Sequence, residues 1–158
     1  MVVALLASLI LQTASPDTAI EFIEVQTAVD AIDGLEGRIS EYIYCGDEHE
    51  FFRIDCGVVT SSGEELTIFG GSITRSVVRA GRSWTYATPV GSISSGQEFP
   101  DTVEMLERFC DHNAVTMRDD SLSLLAWKCR NLPEDALLRI QFDSDYSSVA
   151  IEQSIPSP

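Results

Sequence analysis

Positive charge is scarce in this chain. Its 158 residues hold 10 Lys and Arg against 25 Asp and Glu, a formal net charge of −15. That balance argues against a nucleic-acid partner, which needs Lys and Arg to neutralise phosphates, and against docking on an anionic membrane surface. No apolar run reaches the roughly 20 residues that a membrane-spanning helix requires. Chemistry-bearing motifs are missing too. Without a CxxC pair, neither a thioredoxin-like redox site nor a paired-cysteine zinc site is encoded. No GxSxG, HExxH or phosphate loop ending in GK[ST] occurs. None of these patterns implies a cofactor.

What is present begins with an apolar stretch, Val2 to Leu11, followed by small residues at Ala14 and Ser15; the first charge in the chain is Asp17. The stretch has the length of a signal-peptide core, although no Lys or Arg precedes it. The expectation is a signal peptide over residues 1–15, export to a periplasmic or secreted location, and one domain over 16–158 with no stable membrane span after signal removal.

The four cysteines, Cys45, Cys56, Cys110 and Cys129, form an even set. In an exported chain an even set reads as disulfides. Nearest-neighbour pairing joins Cys45 to Cys56 and Cys110 to Cys129. A tight hairpin through Gly46–His49 would set Cys45 opposite Glu50 and leave Cys56 roughly 20 Å away. A disulfide needs α-carbons within about 7 Å, so that hairpin and that bond exclude each other. Pairing across the domain, with Cys45 or Cys56 reaching Cys110 or Cys129, is the alternative; a Cys110–Cys129 bond would staple a helix to a strand end.

Helical spacing of Phe22, Val25, Val29 and Ile32 predicts a helix over Ala19–Asp33, although Ile20–Val25 also reads as a strand. Asp101 and Glu104 form a capping box for a second helix, which runs past Phe109-Cys110 and stops near His112-Asn113. Strand signals cover Arg38–Cys45, Glu50–Val59, Glu65–Phe69, Ile73–Arg79 and Ser83–Ala87, and then Val115–Met117 and Leu122–Cys129. Pro89–Gln97 reads as a polar loop. Leu138, Ile140 and Phe142 alternate with polar residues, as do Val149 and Ile151. The segment DSDYSS between these two runs predicts a hairpin. The fold class is therefore α+β: a single domain, mainly antiparallel sheet, with two packed helices and two disulfides. A small barrel with helical decoration is the second choice.

Charge is distributed unevenly. Asp17–Glu65 carries 13 acids and 2 bases, and the chain from Glu98 onward carries 12 acids and 5 bases. Between them, Leu66–Gln97 has no acid and three arginines, Arg75, Arg79 and Arg82, with Trp84 and Tyr86 close behind. One reading is internal compensation of the acidic surface. The other is an interaction patch of Arg75, Arg79, Arg82, Trp84 and Tyr86, since Arg, Trp and Tyr dominate interface hot spots.

The leading functional expectation is accordingly a non-enzymatic exported binding module for a protein or an anionic ligand. A small hydrolase using His112 or His49, and a protein inhibitor or structural accessory, are the alternatives. His49 lies among Asp47, Glu48 and Glu50 in what reads as a solvated turn. Asp143–Ser147 opens like a calcium loop but has Ser148 and Ser154 where that loop needs Gly and Glu.

Overall fold

The computed structural model describes residues 20–21, 35–43, 56–70 and 72–156. The expected signal peptide, Cys45, His49 and nearly all of the first expected helix lie outside them. In chain order the elements are β1 (Ile20–Glu21), a 3-10 turn (Glu36–Arg38), β2 (Ile39–Tyr42), β3 (Cys56–Thr60), β4 (Glu64–Phe69), β5 (Ser72–Val78), β6 (Trp84–Thr88) and β7 (Gly91–Ser94). Then follow α1 (Phe99–Glu107), β8 (Cys110–Arg118), β9 (Ser121–Cys129), β10 (Leu137–Phe142) and β11 (Ser148–Ser154).

Eight strands form one sheet in the order β2-β3-β4-β5-β11-β10-β9-β8, and every neighbouring pair in it is antiparallel. β2 and β8 are its two edges, so among the described residues the sheet is open and not a barrel. A smaller sheet, β1-β6-β7, holds one parallel pair, β1 with β6. The β10–β11 hairpin forms as its alternation dictates: Leu138, Ile140 and Phe142 are buried, and the residues between them are half-exposed.

The expected architecture needs correction. Among the described residues there is one α-helix, not two, and one disulfide with both ends in place, Cys110–Cys129, not two. Cys56 is also oxidised, and its bonding partner lies outside the described residues. The helix begins at Phe99, not Asp101, because Pro100 fits its first turn and Thr102 Oγ1 donates to the Glu98 carbonyl. It ends at Glu107, and Cys110 opens a nine-residue strand. The disulfide therefore staples strand to strand, not helix to sheet.

Cys110 and Cys129 face each other across β8 and β9 with α-carbons 3.9 Å apart. The adjacent bond from the Arg130 amide to the Phe109 carbonyl marks theirs as a non-hydrogen-bonded pair, the closer of the two antiparallel spacings. The tight hairpin through Gly46–His49 is also excluded. It would set Tyr42 opposite Arg53, whereas Tyr42 pairs with Val58. Finally, the expected loop Pro89–Gln97 contains β7, which pairs with β6.

β8 and β9 turn through Asp119 and Asp120, both at positive φ, 49° and 62°. Two such residues between Arg118 and its partner Ser121 make a type I′ turn, which favours Asn-Gly. Replacing Asp119 by Asn and Asp120 by Gly is expected to stabilise the protein by up to about 1 kcal/mol, the order of the left-handed penalty on a residue with a Cβ. Urea midpoints measure this, and a fall in midpoint would contradict the turn assignment.

One face of the large sheet is the inner face. The small sheet and α1 cover it at β9, β10 and β11, packing Trp84, Tyr86, Ile93 and Leu106 onto Leu124, Leu138, Ile140 and Ile151. A second cluster of Leu35, Val58, Leu66, Ile68 and Ile73 lies under β3–β5. Buried polar groups accompany them. Ser76 Oγ donates to Glu64, Tyr86 Oη donates to Gln153 Oε1 at 2.8 Å, and Asn131 Nδ2 donates to Tyr86 Oη at 2.8 Å. These bonds satisfy the hydroxyl and amide groups that make them, whose burial would otherwise be costly, whereas the buried Asn131 Oδ1 has no hydrogen-bond partner among the described residues.

Candidate anion-binding site

Strand alternation decides which side chains reach the outer face. Arg75, Val77 and Arg79 are spaced by two, so they project on the side opposite buried Ser76 and Val78. Register then carries this face across the sheet. Val77 stands opposite Glu65 on β4 and Glu152 on β11, and Glu152 stands opposite Arg139 on β10. The side chains from four strands thus surround one concavity of about 490 Å³, whose walls also include Thr67, Ala80 and Gln141.

The charged groups are ordered by ion pairs. Arg75 Nη2 lies 3.0 Å from Glu152 Oε2, and Arg139 Nη1 lies 3.7 Å from the same oxygen. Arg79 Nη2 lies 2.8 Å from Glu65 Oε2. In each pair the carboxylate is the more buried partner: Glu152 is 15% exposed against 52% for Arg75, and Glu65 is 32% exposed against 71% for Arg79. The acids therefore form the floor and the guanidinium groups the rim. Exposed pairs of this kind stabilise a fold by about 0–1 kcal/mol each, so folding gives little reason to gather them. Their chemical effect is orientation. Glu152 accepts a hydrogen bond from Arg75 Nη2 and Glu65 one from Arg79 Nη2, which holds planar guanidinium groups of the kind that match a carboxylate or phosphate. Three arginines against two glutamates leave this groove with one net positive charge in a chain of net charge −15. Compensation by the acidic surroundings is thus present but incomplete.

Of the five residues expected in the patch, the structure brings two, Arg75 and Arg79, into the groove. Arg82 sits instead at the turn before β6, its guanidinium against Gly63. A Cβ at Gly63 would lie 3.2 Å from the Arg82 Cζ, so the bare glycine, at φ +85°, makes the room. Trp84 and Tyr86 are 1% exposed and belong to the inner-face core, because β6 lies in the small sheet that covers it. Arg139 is the member that sequence reasoning missed. Its alternation with Leu138 and Ile140 announced an outward side chain, but only the strand order β5-β11-β10 makes it a neighbour of Arg75.

A different aromatic pair shares the outer face. Trp127 on β9 stands opposite Leu137 on β10 and His112 on β8. Its indole stacks with the His112 imidazole, with ring centroids 5.5 Å apart and planes inclined by 28°. His112 is exposed, and neither ring lines the groove. Among the described residues no group of three or more His, Cys, Asp and Glu could hold a metal ion, and no helix is long and apolar enough to cross a membrane. No protein-family model, curated protein or solved structure matches this chain.

Proposed function

We propose that this protein is a non-enzymatic binding module that captures an anionic ligand on the outer face of its large sheet, with Arg75, Arg79 and Arg139 as the contacting groups. One observation carries the reading: three guanidinium groups from β5, its C-terminal end and β10 converge on one concavity, in a chain with a large excess of acids. A ligand arriving from solvent meets the rim guanidinium groups before the floor carboxylates. The surrounding negative potential repels anions at long range, so binding depends on charge-assisted hydrogen bonds at contact and not on steering. The module works in a periplasmic or secreted setting. The apolar run Val2 to Leu11 and the Cys110–Cys129 disulfide support that location.

The test is the triple variant Arg75→Gln, Arg79→Gln, Arg139→Gln, with its fold checked by circular dichroism. Binding to immobilised polygalacturonate and polyglutamate is measured at low salt, where screening is weakest. At least one resin should retain the wild-type protein, and the variant should bind it at least tenfold more weakly. Equal retention of both proteins, or no retention of the wild type, would refute the assignment.

A further inference from the structure

We infer that the ligand is an acidic carbohydrate, a chain of sugar rings bearing carboxylates, laid across the sheet from the arginine groove to the Trp127–His112 pair. The inference rests on reading the groove as an anion site and adds a ligand class to it. Three features on the outer face point the same way.

The first is the sparse charge. The groove presents three arginines and two glutamates, so it neutralises about one negative charge. A densely charged polyphosphate or sulfated chain would bring its remaining charges against Glu65, Glu152 and the acidic surface around them. A sugar chain with one carboxylate per ring and neutral hydroxyls between meets that constraint.

Hydrogen-bond chemistry is the second. The lining mixes acceptors, Glu65 and Glu152, with groups that both donate and accept, Thr67 and Gln141. Hydroxyl groups donate and accept and can use both kinds. An acidic peptide lying on this face would find few partners for its own backbone. The N–H and C=O groups of the central strands under it are already spent in the ladder.

The third is the aromatic ledge. Arg139 stands opposite Leu125, two residues along β9 from Trp127, which makes Trp127 its diagonal neighbour at roughly 7–8 Å. Arg75, Ser154, Leu137, Trp127 and His112 follow one row across five strands. At about 4.8 Å per strand, Arg75 and Trp127 are roughly 14 Å apart, a span for a short oligomer and too long for one small anion. A pyranose ring offers an apolar C–H face, and the electron-rich face of an aromatic ring attracts it. The stacked His112 ring is exposed and Trp127 is half-buried beside it, so the pair supplies such a surface at the end of the row.

Calorimetric titration with hexagalacturonate, hexaglutamate and the neutral maltohexaose tests this. Wild-type protein should bind hexagalacturonate at least tenfold more tightly than either of the others. Trp127→Ala should lose at least tenfold in that affinity. Should Trp127→Ala fold poorly, His112→Ala removes only the exposed ring and should still lose about threefold. Undiminished hexagalacturonate binding by both ledge variants would overturn the carbohydrate inference while leaving an Arg-dependent groove intact. Hexaglutamate binding as tight as hexagalacturonate would do the same and make the partner an acidic peptide. Failure of both anions to bind would overturn the inference and the groove reading together.

Discussion

Trp84→Ala is expected to destabilise the protein by about 3–5 kcal/mol, the cost of emptying a large aromatic site in a packed core. Trp84 is 1% exposed and lies in the cluster that joins the small sheet to the large one. Its Nε1 donates to the Val149 carbonyl of β11 at 3.4 Å, so the side chain fastens β6 to the centre of the large sheet by packing and by a hydrogen bond. Its own backbone amide donates to Ser95 Oγ at 3.1 Å. The substitution removes the indole and leaves the backbone bond in place, so the loss is one of packing plus one partly buried donor–acceptor pair. A domain of ordinary stability has about 5–15 kcal/mol in total, and the variant should unfold at a far lower urea concentration. Trp84→Phe keeps most of the volume and should cost much less. The experiment also separates two roles for this residue. An interface anchor at the surface would lose binding and keep its midpoint; a core residue loses its midpoint. A change below about 1 kcal/mol on Trp84→Ala would contradict the burial that the sheet order imposes.

The contrast between Trp84 and Trp127 shows what the chain reveals by itself. Arg75, Arg79 and the β10 alternation were legible because period-two spacing fixes the side of a strand without any knowledge of its neighbours. The hairpin between Leu137–Phe142 and Ser148–Ser154 was legible for the same local reason. Trp84 and Tyr86 also obey period two, but spacing does not state which side is covered. The answer depends on β6 joining β1 and β7 in a second sheet over the inner face. Arg139 lies 64 positions after Arg75 and reaches it only through two strand pairings. In the sequence Trp127 reads as one more apolar residue of the strand Leu122–Cys129, and its partner His112 reads as a helix end. That error has a physical source. The capping box at Asp101 and Glu104 and the apolar spacing through Phe109 favour helix locally. The helix nonetheless stops at Glu107, where pairing with β9 and the bond to Cys129 govern the backbone. Tertiary pairing overrode propensity there, as it often does over a few residues.

That same cross-link carries the second large effect. Replacing Cys110 and Cys129 together by alanine is expected to cost about 3 kcal/mol, the value for freeing a loop of this length in the unfolded chain; the two cysteines are 19 residues apart in sequence. Substitution is a cleaner test than a reducing agent, because Cys56 is oxidised as well. The loss should be uneven in space. β8 is an edge strand with exposed side chains along most of its length, including Val115 at 54% and Met117 at 74%. Among the described residues β8 is paired with one strand, β9, to which the disulfide also ties it, whereas β10 and β11 are paired on both sides. Amide hydrogen exchange in residues 112–118 should therefore accelerate by more than exchange in β10 and β11, which report global opening. Equal acceleration throughout would mean that the bond acts only through the unfolded state. A functional consequence follows from the position of the bond. His112 lies two residues from Cys110, and its stack with Trp127 depends on β8 staying in register. The arginine groove is built on β4, β5, β10 and β11 and does not touch β8. The double-alanine variant should thus lose the His112 share of hexagalacturonate affinity, about threefold as for His112→Ala, while its remaining affinity stays sensitive to the three Arg→Gln substitutions. Loss of the arginine-dependent part as well would show that the two halves of the outer face are held by one structural unit and not two.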